Sequence, residues 1–130
     1  MSSIINASVS SNGIVSTADA SGILLCQSNG VTTNARAWVK FTGTTINGSY
    51  NVSSVTTAGT GDFTINLTNA LTDTNYAIVG TAVSNIASIN PAIFTPKVSG
   101  TLTTSAFQIQ CPQYNGTLVA PTSVNISVFR

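Results

Sequence analysis

The chain is 130 residues long and 42% hydrophobic, yet only 5% of it is charged, its net charge is +1 and it contains no histidine. This length suits one domain with its own core, and the lack of any Lys/Arg cluster excludes the basic stripe that nucleic acid or an anionic membrane would require. Ordinary soluble domains carry about a quarter charged side chains; here Ser, Thr and Asn fill most polar positions, so solubility rests on hydroxyls and amides.

Residues 1–34 hold brief apolar clusters (Ile4, Ile5, Val9, Ile14, Val15, Ile23, Leu24 and Leu25) broken by Ser, Asn and Gly. No basic leader precedes them and no apolar run approaches the roughly 18 residues that span a bilayer. The chain therefore reads as soluble, without a targeting segment or membrane insertion. These clusters make no core of their own. They are expected to form an extended arm that pairs with the body or crosses to a neighbouring subunit, with the domain boundary near Asn34 and the globular part at 35–130.

From there on the period is two. Glutamate is absent and no window places apolar residues at i, i+3, i+4 and i+7, so helix is not expected beyond a turn. The spacing predicts strands over 35–43, 50–56, 62–68, 75–83, 92–98, 102–111 and 122–129, the last running to the C-terminal Arg130. In 62–68, Phe63, Ile65 and Leu67 point one way while Asp62, Thr64, Asn66 and Thr68 point the other, as in a half-buried antiparallel strand. Tyr50 with Val52, and Tyr76 with Ile78, read as core by the same rule. The punctuation between strands (Asn47-Gly48, Gly59-Thr60-Gly61, residues 72–75, Ser99-Gly100 and Asn115-Gly116) suits hairpin or Asx turns. Short strands with turns every eight to twelve residues predict an all-β antiparallel sandwich, a jelly-roll-like knob. After Asp73 the only charge before Arg130 is Lys97, so uncharged, β-prone strands must be covered within a closed sandwich or by sister subunits.

Three stretches taken together resemble a recurrent domain of tailed-bacteriophage tail-fibre and other virion structural proteins. They are Ala-Arg-Ala-Trp-Val-Lys-Phe-Thr-Gly at 35–43, Asn-Val-Ser-Ser-Val-Thr at 51–56 and Gly-Thr-Gly-Asp-Phe-Thr-Ile-Asn at 59–66. Residues 18–30 more weakly resemble a fibre-shaft repeat. Lys40 departs from the Asn or Asp usual at its place in the pattern, and the connection from Gly43 to Tyr50 is short. The resemblance implies a non-enzymatic virion protein, a homotrimeric tail-fibre or spike knob serving host adsorption or fibre architecture, with other virion proteins and a host surface glycan as partners. Its alternative is a capsid decoration or head-fibre protein that binds virion subunits instead of a receptor. Synthesis in a reducing cytoplasm, which the resemblance also implies, favours free thiols for Cys26 and Cys111; spacing alone leaves their pairing open.

Catalysis has little to work with. General acid–base catalysis needs a group poised near neutrality, and the chain has neither His nor Glu. The carboxylates are Asp19, Asp62 and Asp73, of which Asp62 opens a strand and Asp73 lies in a turn, contexts where carboxylates bond backbone N–H groups. Neither Lys40 nor Lys97 follows a glycine elbow that would suit a Ser–Lys nucleophile. No metal or cofactor is expected. Two candidate sites remain. Trp38 shares a strand face with Arg36 and Lys40, where an indole between cations can stack on a sugar or anchor a subunit seam with the two basic stems laid along it; the seam is the preferred reading. Gln113, Tyr114 and Asn115 form a candidate receptor loop, an aromatic among amides, set against an ordinary turn tyrosine.

Overall fold

The computed structural model describes residues 27–28, 31–32, 34–84, 91–97 and 102–130. The chain divides between Thr32 and Thr33 into two units. In the first, β1 (Gln27–Ser28) and β2 (Val31–Thr32) pair antiparallel. The expected course of the remaining arm, and Cys26, lie outside the described residues.

The second unit is all-β, with no helix among its described residues. Its strands are β3 (Ala35–Thr42), β4 (Thr45–Tyr50), β5 (Val52–Gly59), β6 (Asp62–Leu67), β7 (Ala77–Val83), β8 (Thr95–Pro96), β9 (Ala106–Gln110) and β10 (Ser123–Phe129). They form two antiparallel four-stranded sheets, in the orders β4-β3-β10-β7 and β5-β6-β9-β8. Alternation sets the inner faces. Ala37, Val39 and Phe41 of β3 and Val124, Ile126 and Val128 of β10 are buried from one sheet; Phe63, Ile65, Phe107 and Ile109 are buried from the other. The sheets meet through edge-to-face aromatic pairs, Phe41 with Phe63 at 5.2 Å and Tyr76 with Phe107 at 6.2 Å between ring centroids, a geometry favoured by the ring quadrupoles. The all-β, two-sheet expectation is borne out.

Several local expectations are corrected. The stretch after Gly43, read as a short connection with a turn at Asn47-Gly48, is the strand β4. The real turn is Gly43-Thr44, where Gly43 takes φ 58° in a two-residue loop between the paired Thr42 and Thr45. Asn47 is instead the extra residue of a β-bulge, since Gly48 pairs with Lys40 while Ile46 pairs with Phe41. Strand 50–56 is likewise two strands that meet at Asn51. The strand expected over 92–98 is only Thr95–Pro96, because proline lacks a ladder donor and is confined to an edge; Val98 lies outside the described residues. The strand expected over 102–111 begins at Ala106. Ahead of it the Thr103 hydroxyl accepts from the Ala106 and Ser105 amides, a local bond that competes with the ladder.

Asn51 makes the corner between the sheets. It adopts φ 56°, a left-handed conformation that asparagine tolerates better than most residues. Its Nδ2 donates to Arg36 O and Asn69 O, both at 3.1 Å, and its Oδ1 accepts from Asn69 N at 2.8 Å. One side chain thus ties β3, the β4–β5 corner and the β6–β7 loop together.

Cys111 is fully buried as a free thiol, and burial pushes its pKa from 9.0 up to about 11. Asp62 is held below the usual carboxylate range first by the hydrogen bond from Lys97, and Asp73 first by the bond from Arg130. A raised acid favours the folded state up to its unfolded pKa, and that advantage is lost as pH climbs through the folded value. For Cys111 the window is pH 9 to 11 and the loss about 2–3 kcal/mol. The depressed aspartates stabilise above pH 3.8, and their contribution disappears as pH falls through their lower folded values. Chemical denaturation from pH 2 to 11 should give a plateau between about 4 and 9. Replacing Cys111 with Ala should shrink the alkaline arm without abolishing it, because burial also raises the Tyr76 hydroxyl, and an arm unchanged by C111A would contradict the assignment.

Candidate functional site

The outer face of the first sheet exposes five large apolar side chains, Trp38, Tyr50, Val79, Val83 and Phe129. Because Ala37, Val39 and Phe41 face the core, Arg36, Trp38 and Lys40 must face outward. Trp38 is 43% exposed, Lys40 is exposed and Arg36 half-buried. The register extends two cross-strand rows over this face. One row runs Tyr50, Trp38, Ser127, Val79, and the next runs Gly48, Lys40, Asn125, Thr81.

In the first row Tyr50 is 43% and Val79 54% exposed. The expectation that Tyr50 belongs to the core is therefore wrong. The left-handed Asn51 resets the alternation, so Tyr50 faces outward from the first sheet while Val52 faces inward from the second. Tyr76 is buried as expected, its hydroxyl donating to Thr103 O at 2.8 Å.

The indole of Trp38 lies across β4 onto Gly48, where an added Cβ would sit 3.4 Å from its Cη2. A bare glycine in an outer strand is thereby covered by an aromatic neighbour. On its other side Trp38 borders a shallow trough of about 570 Å³, floored by Asn125 and Ser127 and bounded by Val79, Thr81 and Phe129. Asn125 Nδ2 donates to Thr81 Oγ1 at 3.3 Å and fixes the amide at the floor. Across these four strands the charges are Arg36 and Lys40 alone. Neither has a carboxylate partner among the described residues, whose ion pairs are Lys97–Asp62 and Arg130–Asp73. Such a face can take a flat apolar partner at Trp38 and Tyr50, with the basic stems at its rim.

The receptor-loop candidate is a closed turn. Pro112 bridges Leu118, Gln113 N donates to Thr117 O, Gly116 N donates to Gln113 O, and Thr117 N donates to Asn115 Oδ1. Gly116 takes φ 82°. Tyr114 stands at the tip, 73% exposed. This loop follows β9 of the second sheet, and Tyr114 does not line the trough beside Trp38.

Both described aspartates are engaged. Asp62 Oδ2 receives Lys97 Nζ at 2.7 Å and Gln110 Nε2 at 3.2 Å, while Asp73 pairs with Arg130 and closes an Asx turn onto Asn75 N. Asn125, Ser127 and Phe129 were not singled out from the sequence. Alternation in β10 places them outward, but only the pairing of β10 with β3 puts them beside Trp38. No family model, curated protein or solved structure matches the chain.

Proposed function

We propose that the chain is a structural protein of a bacteriophage virion, a tail-fibre or spike knob that acts as a homotrimer in host adsorption or fibre architecture and catalyses no reaction. The observation that carries this reading is the exposed Trp38–Tyr50 pair, on a sheet whose four strands hold only two charges. Apolar aromatics at the centre of a patch, with basic stems at the margin, are the composition of an interface core and rim. The three stretches that resemble virion structural proteins supply the biological context. Two engaged aspartates and a sequence without His or Glu favour binding over chemistry.

In this reading Arg36, Trp38 and Lys40 form the seam between subunits, and Gln113, Tyr114 and Asn115 present the receptor contact. Three weak sugar sites on one rigid knob act as a multivalent ligand, so modest single-site affinity suffices. Trp38→Ala should abolish three-chain association in native mass spectrometry. Tyr114→Ala should leave the mass unchanged and lower adsorption of labelled protein to host cells by about tenfold or more, since avidity multiplies a loss repeated at each site. An intact trimer in W38A would remove the seam. Labelling of assembled capsids without labelling of cells would favour a decoration role instead.

A further inference from the structure

Four strands end the two sheets, and three of them carry features that discourage pairing with another chain. β4 is interrupted by its bulge at Asn47. β5 shifts register near both ends, at Val52/Ser54 and at Thr57/Gly59. β8 has two residues, and one is Pro96. β7 has none of these. Its seven residues pair with β10 in unbroken register, and it carries neither charge nor proline. Among the described residues its other side pairs with no strand.

The side chains of β7 add to this. Val79 and Val83 are 54% and 44% exposed on the outer face. On the inner side a cleft of about 260 Å³ opens beside Ile78 and Tyr76, closed across by Pro96, Lys97, Leu102 and Gln108 of the second sheet's edge. Leu102 is 46% exposed there. An added strand would therefore find both a row of backbone groups and an apolar recess for its alternate side chains.

We infer that β7 is a strand-pairing edge whose occupant is β7 of a second copy, related by a twofold axis at Gly80. The sequence Ala77-Ile78-Val79-Gly80-Thr81-Ala82-Val83 is suited to antiparallel self-pairing about its centre. Val79 meets Thr81, a side chain of the same shape, Ile78 meets Ala82, and Ala77 meets Val83. The contact is isologous, so each residue serves twice. Two identical strands repel when they carry like charges opposite one another, and this strand carries none. Gly80 on the axis adds no side chain, and the space a Cβ would take on it is already filled by the Phe94 ring at 2.7 Å. The pairing places Ala82 of the copy next to Ile78 and its cleft, and extends the first sheet from four strands to eight.

The open edge of β7 is distinct from Trp38, but Val79 and Thr81 also bound the trough beside the indole, so losing the β7 contact leaves three chains whereas losing the seam leaves two. Where both form, trimers join in pairs. The test is native mass spectrometry of wild type, of Thr81→Lys, and of Val79→Cys/Thr81→Cys under air oxidation. Thr81 is exposed on the outer face, so lysine leaves the core untouched while it sets like charges across the axis. T81K should halve the wild-type mass, from six chains to three, or from two to one if the Trp38 seam does not form. The double cysteine variant should give a reductant-sensitive dimer band absent from wild type, because directly opposed residues in an antiparallel pair lie within disulfide reach. Hydrogen exchange should show protection in alternate β7 amides that T81K removes. A wild-type mass unaffected by T81K, or a double cysteine variant without the cross-link, overturns the twofold contact.

Discussion

Gly61→Ala should destabilise the protein by about 3–5 kcal/mol, whereas Gly43→Ala should cost about 1–2 kcal/mol. Both glycines occupy the left-handed region, with φ of 68° and 58°, so the backbone penalty for any L side chain is alike at the two sites. Their surroundings differ. A Cβ on Gly43 meets nothing within 4 Å, while one on Gly61 would lie 2.4 Å from Val119 O. Val119 cannot easily retreat, since its amide donates to Cys111 O at 3.0 Å and the Cys111 amide donates to Gly61 O at 2.8 Å. The β5–β6 turn, the start of the Tyr114 loop and its return are thus held in one hydrogen-bonded stack that leaves room for a hydrogen atom only. Urea titration of the two variants checks the comparison. Equal losses would mean that the close approach to Val119 carries no weight.

Asn51→Ala is expected to lose about 2–4 kcal/mol, roughly a 10 °C drop in melting temperature for a domain of this size. Two terms combine. The three side-chain bonds to Arg36 and Asn69 disappear, at about 1 kcal/mol each and less where water replaces them, and alanine is strained at φ 56° by about 1 kcal/mol more. Asn51→Gly removes the bonds but relieves the strain, so stability should fall in the order Asn, Gly, Ala. If glycine proved as good as asparagine, the corner would be a matter of backbone conformation alone, and the side-chain ties would be incidental.

These two positions also mark how far the fold could be read from the sequence. The alternation in 35–43, 62–68 and 122–129 was legible because each strand carries three apolar residues at alternate positions, and Ala37, Val39 and Phe41, Phe63, Ile65 and Leu67, and Val124, Ile126 and Val128 are all buried. The β4 strand was not legible. Its Asn47-Gly48 pair has the composition of a hairpin turn, and only the bulge opposite Lys40 and the indole covering Gly48 explain why the strand continues through it. Tyr50 was misplaced for a related reason: a period of two holds within one strand, and a left-handed Asn51 begins a new one in the other sheet.

The candidate surface was half visible. Arg36, Trp38 and Lys40 follow from the alternation of β3 alone. Tyr50 and the trough floor of Asn125 and Ser127 depend on which strands flank β3, and β10 lies more than eighty positions along the chain from it, a pairing that no local signal specifies. The unprotected state of β7 depends in the same way on the sheet order, because only an end strand has an open side.

The central claim is that a protein with so few charges keeps its exposed sheet surfaces from unspecific association by covering them with copies of itself. Native mass spectrometry of the wild-type protein at micromolar concentration tests it most directly. The account predicts particles of three or six chains, and a single 13.3 kDa species throughout that range would contradict it.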